Sequence, residues 1–236
     1  MKILVVAAHP DDEVLGMGGT IKKFTNDGHD VLSVILSTGI MSRRKIAKNE
    51  LDLDSKIFMN KDMTHKINDL RKNGKKAAKI LGVKNIDFLD FPDNEMDLVS
   101  NLVVTKSIEN YIETFQPDSV FTHSAIDLNI DHRIVYNATL TATRPIKGKH
   151  KVKKLFSFEI PSSTEWNFSQ SFVPNTFIDI SKELKFKIKA MQAYENELEN
   201  FPHPRSVKSL ELIASKWGTV CGVNSAEAFC LIREIP

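Results

Sequence analysis

Short apolar runs without polar interruption alternate along this chain with stretches of helical spacing, and that alternation restricts the fold more than any other feature. Residues 2–8, "KILVVAA", form such a run, and unbroken apolar character over so short a length suits a strand buried on both faces. Residues 14–28 then carry helical spacing and end on Asn26, Asp27 and Gly28, residues that favour a helix stop. The pattern recurs. Residues 31–37 read as strand; beyond a polar, basic stretch at 38–64, a long helical pattern runs through Leu70, Ala77, Ala78 and Leu81 to Gly82. Residues 86–91 read as strand, 99–115 as helix, 119–123 as strand, and 131 to about 143 as helix, stopped by Pro145. Strands alternating with helices imply a doubly wound α/β sheet, largely parallel, whose ligands bind beyond the carboxyl ends of its strands. The last third is less regular, with strands expected at 155–160, 176–180 and 228–233 and helices at 182–198 and 206–219.

The 236 residues suit one domain, with a core over about 1–145 and further strands and helices over about 146–236. An apolar fraction of 42% and a charged fraction of 26% describe a folded, soluble chain. A net charge of +2 is too small to announce a nucleic-acid or membrane partner. The opening apolar run is far shorter than a spanning helix or a signal-peptide core, so the expected compartment is the cytoplasm. Cys221 and Cys230, with no CxxC pair, make neither a disulfide framework nor a structural zinc site. The basic run "KGKHKVKK" at 147–154 reads as a solvated connection. His29 and His150 read as surface histidines, and His65 as a helix-start residue.

The chemistry is concentrated where the first strand ends, in "AHPDDEVLGMGG". His9 and Asp12 stand three apart on a turn pinned by Pro10, so their side chains can converge, while the adjacent Asp11 points elsewhere. Nitrogen with carboxylate oxygen suits zinc, and a catalytic zinc takes three protein ligands and keeps one position open. "FTHSAIDLNIDHR" offers His123, Asp127, Asp131 and His132 after a neighbouring strand. His132, on the first turn of its helix, can supply the third ligand and leave Asp11 free as a general base. Two roles compete with metal binding here. The acids could serve only as a helix cap, and Gly16, Gly18 and Gly19 could signal a dinucleotide loop. That loop needs its glycines at the strand-to-helix turn, where this chain carries carboxylates; the glycines fit better with close packing of the first helix.

"AHPDDE" with "GMGG", the later "DLNIDHR", "LRKNGKKAAKILGV", "FPDNEMD", "HPRS" and "AEAF" together resemble the PIG-L/LmbE-like family of zinc-dependent N-deacetylases. The resemblance implies a Rossmann-like three-layer sandwich with a mostly parallel sheet and an irregular C-terminal extension. It implies hydrolysis of the acetamide of an N-acetylated amino sugar or its conjugate. It places the metal ligands on His9, Asp12 and His132, the base on Asp11, and substrate contacts on Arg71, with Arg205 of "HPRS" and His123 as further candidates. The family's late motif is commonly H-x-D-H, but Asn129 stands at its first position here. An Asn amide can donate to an oxyanion but cannot deliver a proton, so the acid is sought in His203 or His123, with Asp131 orienting an imidazole. The expected partner is a small N-acetyl sugar conjugate; Arg71 and the basic run suggest a phosphate or other anion on it. No nucleic acid or membrane insertion is expected, and a homo-oligomer stays open. The competing function is an inactive relative that binds a sugar or nucleotide conjugate, for which Asn129 is the one motif departure.

Overall fold

The computed structural model describes residues 1–39 and 61–236 of the chain, with the side chains of 61 and 62 left aside. Most of the polar stretch read at 38–64 therefore lies outside the described residues. In chain order the elements are β1 (Lys2–Ala7), α1 (Asp12–Asn26), β2 (Asp30–Ser37), α2 (Lys61–Leu81), β3 (Asn85–Phe91), α3 (Asn101–Phe115), β4 (Ser119–His123) and α4 (Ile130–Ala142). They are followed by β5 (Lys154–Phe158), β6 (Thr176–Asp179), α5 (Leu184–Gln192), α6 (Val207–Cys221) and β7 (Ala226–Glu234). All seven strands join one sheet in the order β3-β2-β1-β4-β5-β7-β6. The first five run parallel, and β7 runs antiparallel to both β5 and β6. This is the Rossmann-like α/β class. The C-terminal third contributes β5, β7 and β6 to the same sheet, and its irregular part is the connection at 159–175, which holds only a short 3-10 turn at Thr164–Trp166.

Alternation along each strand divides the core into two layers. Ile3 and Val5 of β1 pack with Ile21 of α1, Leu70 of α2 and Ala190 of α5, whereas Leu4 and Val6 pack with Val104 and Ile108 of α3 and Val135 of α4. Because both faces are covered, strand residues are apolar at successive positions, and each fully buried aliphatic side chain contributes about 1.5–3 kcal/mol. β1 pairs with β2 on one side and β4 on the other. The helices that follow β1 and β4 leave toward opposite faces, opening a crevice at the carboxyl ends of those two strands.

Helix α1 breaks at Met17, where φ is −150° and ψ is 25°. The broken hydrogen bonds are recovered by a buried pair from the C-terminal third. Glu227 accepts from the Gly19 and Thr20 N–H groups at 3.0 and 2.6 Å. Lys187 Nζ donates to the Leu15 carbonyl at 2.8 Å and to Glu227 at 2.6 Å. The glycines beside the break are small for a packing reason: a Cβ on Gly16 would overlap the Phe158 ring, and one on Gly19 would meet Ile180 at 2.7 Å.

Candidate metal centre

The turn after β1 directs three successive carboxylates in three directions. Asp11 has φ 109°, a left-handed backbone that a non-glycine residue adopts only when its surroundings hold it there. Its Oδ2 accepts from Arg205 Nη1 at 2.9 Å. Asp12 Oδ2 faces the opposite way, accepting from the His9 backbone N–H at 2.8 Å and lying 3.1 Å from His9 Nδ1. Glu13 is buried beneath the turn, where its carboxylate accepts from Tyr194 OH at 2.8 Å and from the Asp11 N–H at 3.2 Å. Burial pushes Glu13 up to about 7 despite the Tyr194 hydrogen bond.

The third arm comes from α4, whose first turn is capped by Asn129, its Oδ1 accepting from the Asp131 N–H at 2.8 Å. His132 Nε2 lies 3.1 Å from His9 Nδ1 and 3.2 Å from Asp12 Oδ2. The three donor atoms thus form a near-equilateral triangle. A tetrahedral zinc with bonds of about 2.0–2.1 Å separates its ligand atoms by about 3.3 Å, so the triangle is of the right size. Asp12 Oδ1 is buried without a hydrogen-bond partner among the described residues. The electrostatics agree. Burial alone would push both imidazoles down, but Asp12, Asp131 and Asp93 hold His9 well above its ordinary value, and Asp12 with Asp127 holds His132 at about 9. The pocket calls for positive charge, which a divalent ion meets better than stray protons. The His9 side chain keeps 12% of its surface exposed, so the triangle opens to solvent.

The carboxylates behind the rings set which nitrogen faces inward. His9 Nε2 lies 3.0 Å from Asp131 Oδ2 and 3.1 Å from Asp93 Oδ1, which makes it the protonated nitrogen and leaves the Nδ1 lone pair on the triangle. Those same atoms, His9 Nε2, Asp93 and Asp131, form a second cluster of metal-binding type. Asp131, however, already accepts from the Asn94 and Met96 N–H groups at 2.6 and 3.1 Å, as an orienting carboxylate does. His132 Nδ1 lies 3.1 Å from Asp127 Oδ1. Asp127 is itself held by Ser163, by Thr164 at 2.7 Å and by the Asn129 N–H at 2.9 Å.

The remaining site residues read from the sequence are distributed unevenly. His123 is fully buried under the triangle, stacked on His132 with ring centroids 4.0 Å apart, and its Nε2 accepts from the Ala8 N–H at 2.8 Å. Burial and then the neighbouring His132 drive it down to about 3, so it is a neutral ring with its proton on Nδ1. Asn129 spends its side chain on the α4 cap and on Asn94 Oδ1, at 2.9 Å. His203 accepts at Nδ1 from the Arg205 N–H at 3.1 Å, which puts its own proton on Nε2. Arg71 pairs with Asp90 at 2.6 Å and with the Leu89 carbonyl at the end of β3, outside the triangle's contacts. The basic run opens β5, at the end of the sheet away from the crevice, and Lys149, Lys153 and Lys154 are paired with Glu113, Asp118 and Glu234. It cannot reach a ligand at the triangle, and the anion suggested from it loses that support.

Residues 4–143 match the family model described as "PIG-L: GlcNAc-PI de-N-acetylase". The chain belongs to the PIG-L family. Its N-deacetylase assignment rests on that match together with the buried His and Asp cluster. Among its relatives, diacetylchitobiose deacetylase of Thermococcus kodakarensis is 28% identical over all of this chain and 83% of its own length. The solved N,N′-diacetylchitobiose deacetylase of Pyrococcus horikoshii, in complex with an inhibitor, superposes with a TM-score of 0.76 at 24% identity, covering 98% of this chain and 83% of that one. GalB, the 4-carboxy-2-hydroxymuconate hydratase of Pseudomonas putida, matches with a TM-score of 0.75 at 21% identity, over 100% and 97% of the two chains. A hydratase and a deacetylase on one fold show that the fold alone does not name the reaction. No helix among the described residues of this chain is long and apolar enough to cross a membrane.

Several contributors went unread in the sequence. Asp93 is in "FPDNEMD", a carboxylate just past the end of β3, and the reasoning applied to the ends of β1 and β4 would have found it. Tyr194, Ser163 and Thr164 carry no local signal, since each reaches the site across a long sequence separation.

Proposed function

We propose that this PIG-L family member removes the acetyl group from an N-acetylated amino sugar or its conjugate, with a zinc ion held by His9, Asp12 and His132 and with Asp11 as the proton acceptor. The observation that carries the reading is the convergence of His9 Nδ1, Asp12 Oδ2 and His132 Nε2 within 3.2 Å of one another beside a carboxylate that is not among them. A bound divalent ion supplies a Lewis acid and lowers the pKa of its water to about 7.

The protein's own groups do the rest. Arg205 holds Asp11 Oδ2, leaving Oδ1 to take a proton from the attacking water. Burial holds the Asp11 carboxyl well above the ordinary range, against the pull of Arg205, so it can keep that proton and return it to the amine as the C–N bond breaks. A separate histidine acid is then unnecessary. His203, with its Nε2–H, is better suited to donate a hydrogen bond to substrate. Asp131 and Asp127 fix the His9 and His132 rings, and His123 supports them from below. Acetate release from N-acetylglucosamine conjugates, with and without chelator, tests the reading. Activity should vanish on chelation and return with zinc, and Asp11→Asn should retain the metal yet lose about 10²- to 10⁴-fold in kcat. Full activity in chelated protein, or in metal-loaded Asp11→Asn, would overturn it.

A further inference from the structure

Arg205 joins the triangle to a second feature. Besides holding Asp11, its guanidinium lies 3.4 Å from Glu197 and its Nε donates to Ser162 Oγ at 2.8 Å. Arg205 also lines a groove of about 400 Å³ together with Trp166, His203, Asn196, Glu197 and Glu199, within the size range of small-molecule sites. We propose that this groove takes the second pyranose of a glycan whose N-acetylated sugar lies at the triangle, with Trp166 as its stacking surface, and that it accepts a neutral or amine-bearing sugar and excludes a phosphate. The proposal rests on the deacetylase reading and extends it to substrate class.

Trp166 leaves 41% of its surface exposed at the groove, and its ring is set at 90° to that of His203 with centroids 5.8 Å apart. The adjacent Asn167 Nδ2 anchors the segment to the Ile126 carbonyl at 2.6 Å. An anchored, exposed indole beside polar side chains is what a pyranose needs, since its C–H face packs on the ring while its rim hydroxyls find donors and acceptors. The charge inventory argues against an anion. The guanidinium of Arg205 is already shared between Asp11 and Glu197, and Glu199 adds a further carboxylate to the wall. A phosphate there would meet like charge without an unengaged cation among the lining residues.

The test compares N,N′-diacetylchitobiose, N-acetylglucosamine and N-acetylglucosamine 1-phosphate on zinc-loaded enzyme. The disaccharide should have the highest kcat/KM and the phosphate the lowest. Trp166→Ala should cut the disaccharide-to-monosaccharide ratio about tenfold, mainly through KM, and Glu199→Lys should raise the phosphate relative to the disaccharide. An equal loss on both sugars would make Trp166 a structural residue, and a preference for the phosphate would refute the charge argument. Binding is read separately. Titrating Asp11→Asn protein with the disaccharide should give a saturable change in tryptophan emission that Trp166→Phe abolishes, because the other tryptophan, Trp217, is buried. Acetate release without that signal sinks the groove and spares the deacetylase; the signal without acetate release does the reverse.

Discussion

Asn129 shows how a residue's surroundings can reassign it. Its amide oxygen caps α4 and one of its two amide N–H groups donates to Asn94, so the cap is the role its contacts define and one N–H is left for an oxyanion. Asn129→Ala is therefore expected to cost about 0.5–2 kcal/mol of stability through the lost cap, measured as a lower denaturation midpoint, with kcat reduced less than tenfold. A fall of a hundredfold or more in kcat, at unchanged stability, would restore the oxyanion role. Asp11 and Asp12 differ in the opposite sense: chemically identical neighbours, they are separated by one strained backbone angle, which sends one to Arg205 and the other to the histidines.

At the scale of elements, α1 is the instructive case. Its helical spacing was legible in residues 14–28, and the reading of Gly16 and Gly19 as packing positions agrees with their contacts to Phe158 and Ile180. The break at Met17 was not legible, because its compensation comes from Lys187 and Glu227, about 170 and 210 residues away along the chain. This explains the Glu of "AEAF" without any catalytic role. Lys187→Met should leave Glu227 as an unpaired buried charge and cost about 3–5 kcal/mol. Lys187→Met with Glu227→Leu should cost less than the two single changes summed, read from chemical denaturation. Additive losses would show that the pair is not acting as a unit.

For the whole molecule, the triangle stitches the end of β1 to the start of α4, and its electrostatics make stability depend on pH and metal together. In metal-free protein His132 has a folded pKa of about 9, raised above the ordinary 6.5. Its stabilising contribution is thus complete below about 6.5 and is lost as pH rises through about 9, and His9 acts in the same direction. If His9 and His132 hold the proposed zinc, chelated protein should lose Tm across that window while zinc-loaded protein, its imidazoles then on metal rather than protons, does not; parallel curves would contradict the metal proposal. Residue order alone was enough for the strands and helices, for the class of sheet, and for the convergence of His9 on Asp12, because each depends on neighbours within one or two turns of chain. Folding in three dimensions decided the rest. Which carboxylate stands behind which imidazole, that Arg205 returns to Asp11, and that the basic run faces away from the crevice all depend on contacts between segments far apart in sequence, and local periodicity carries no record of such distances.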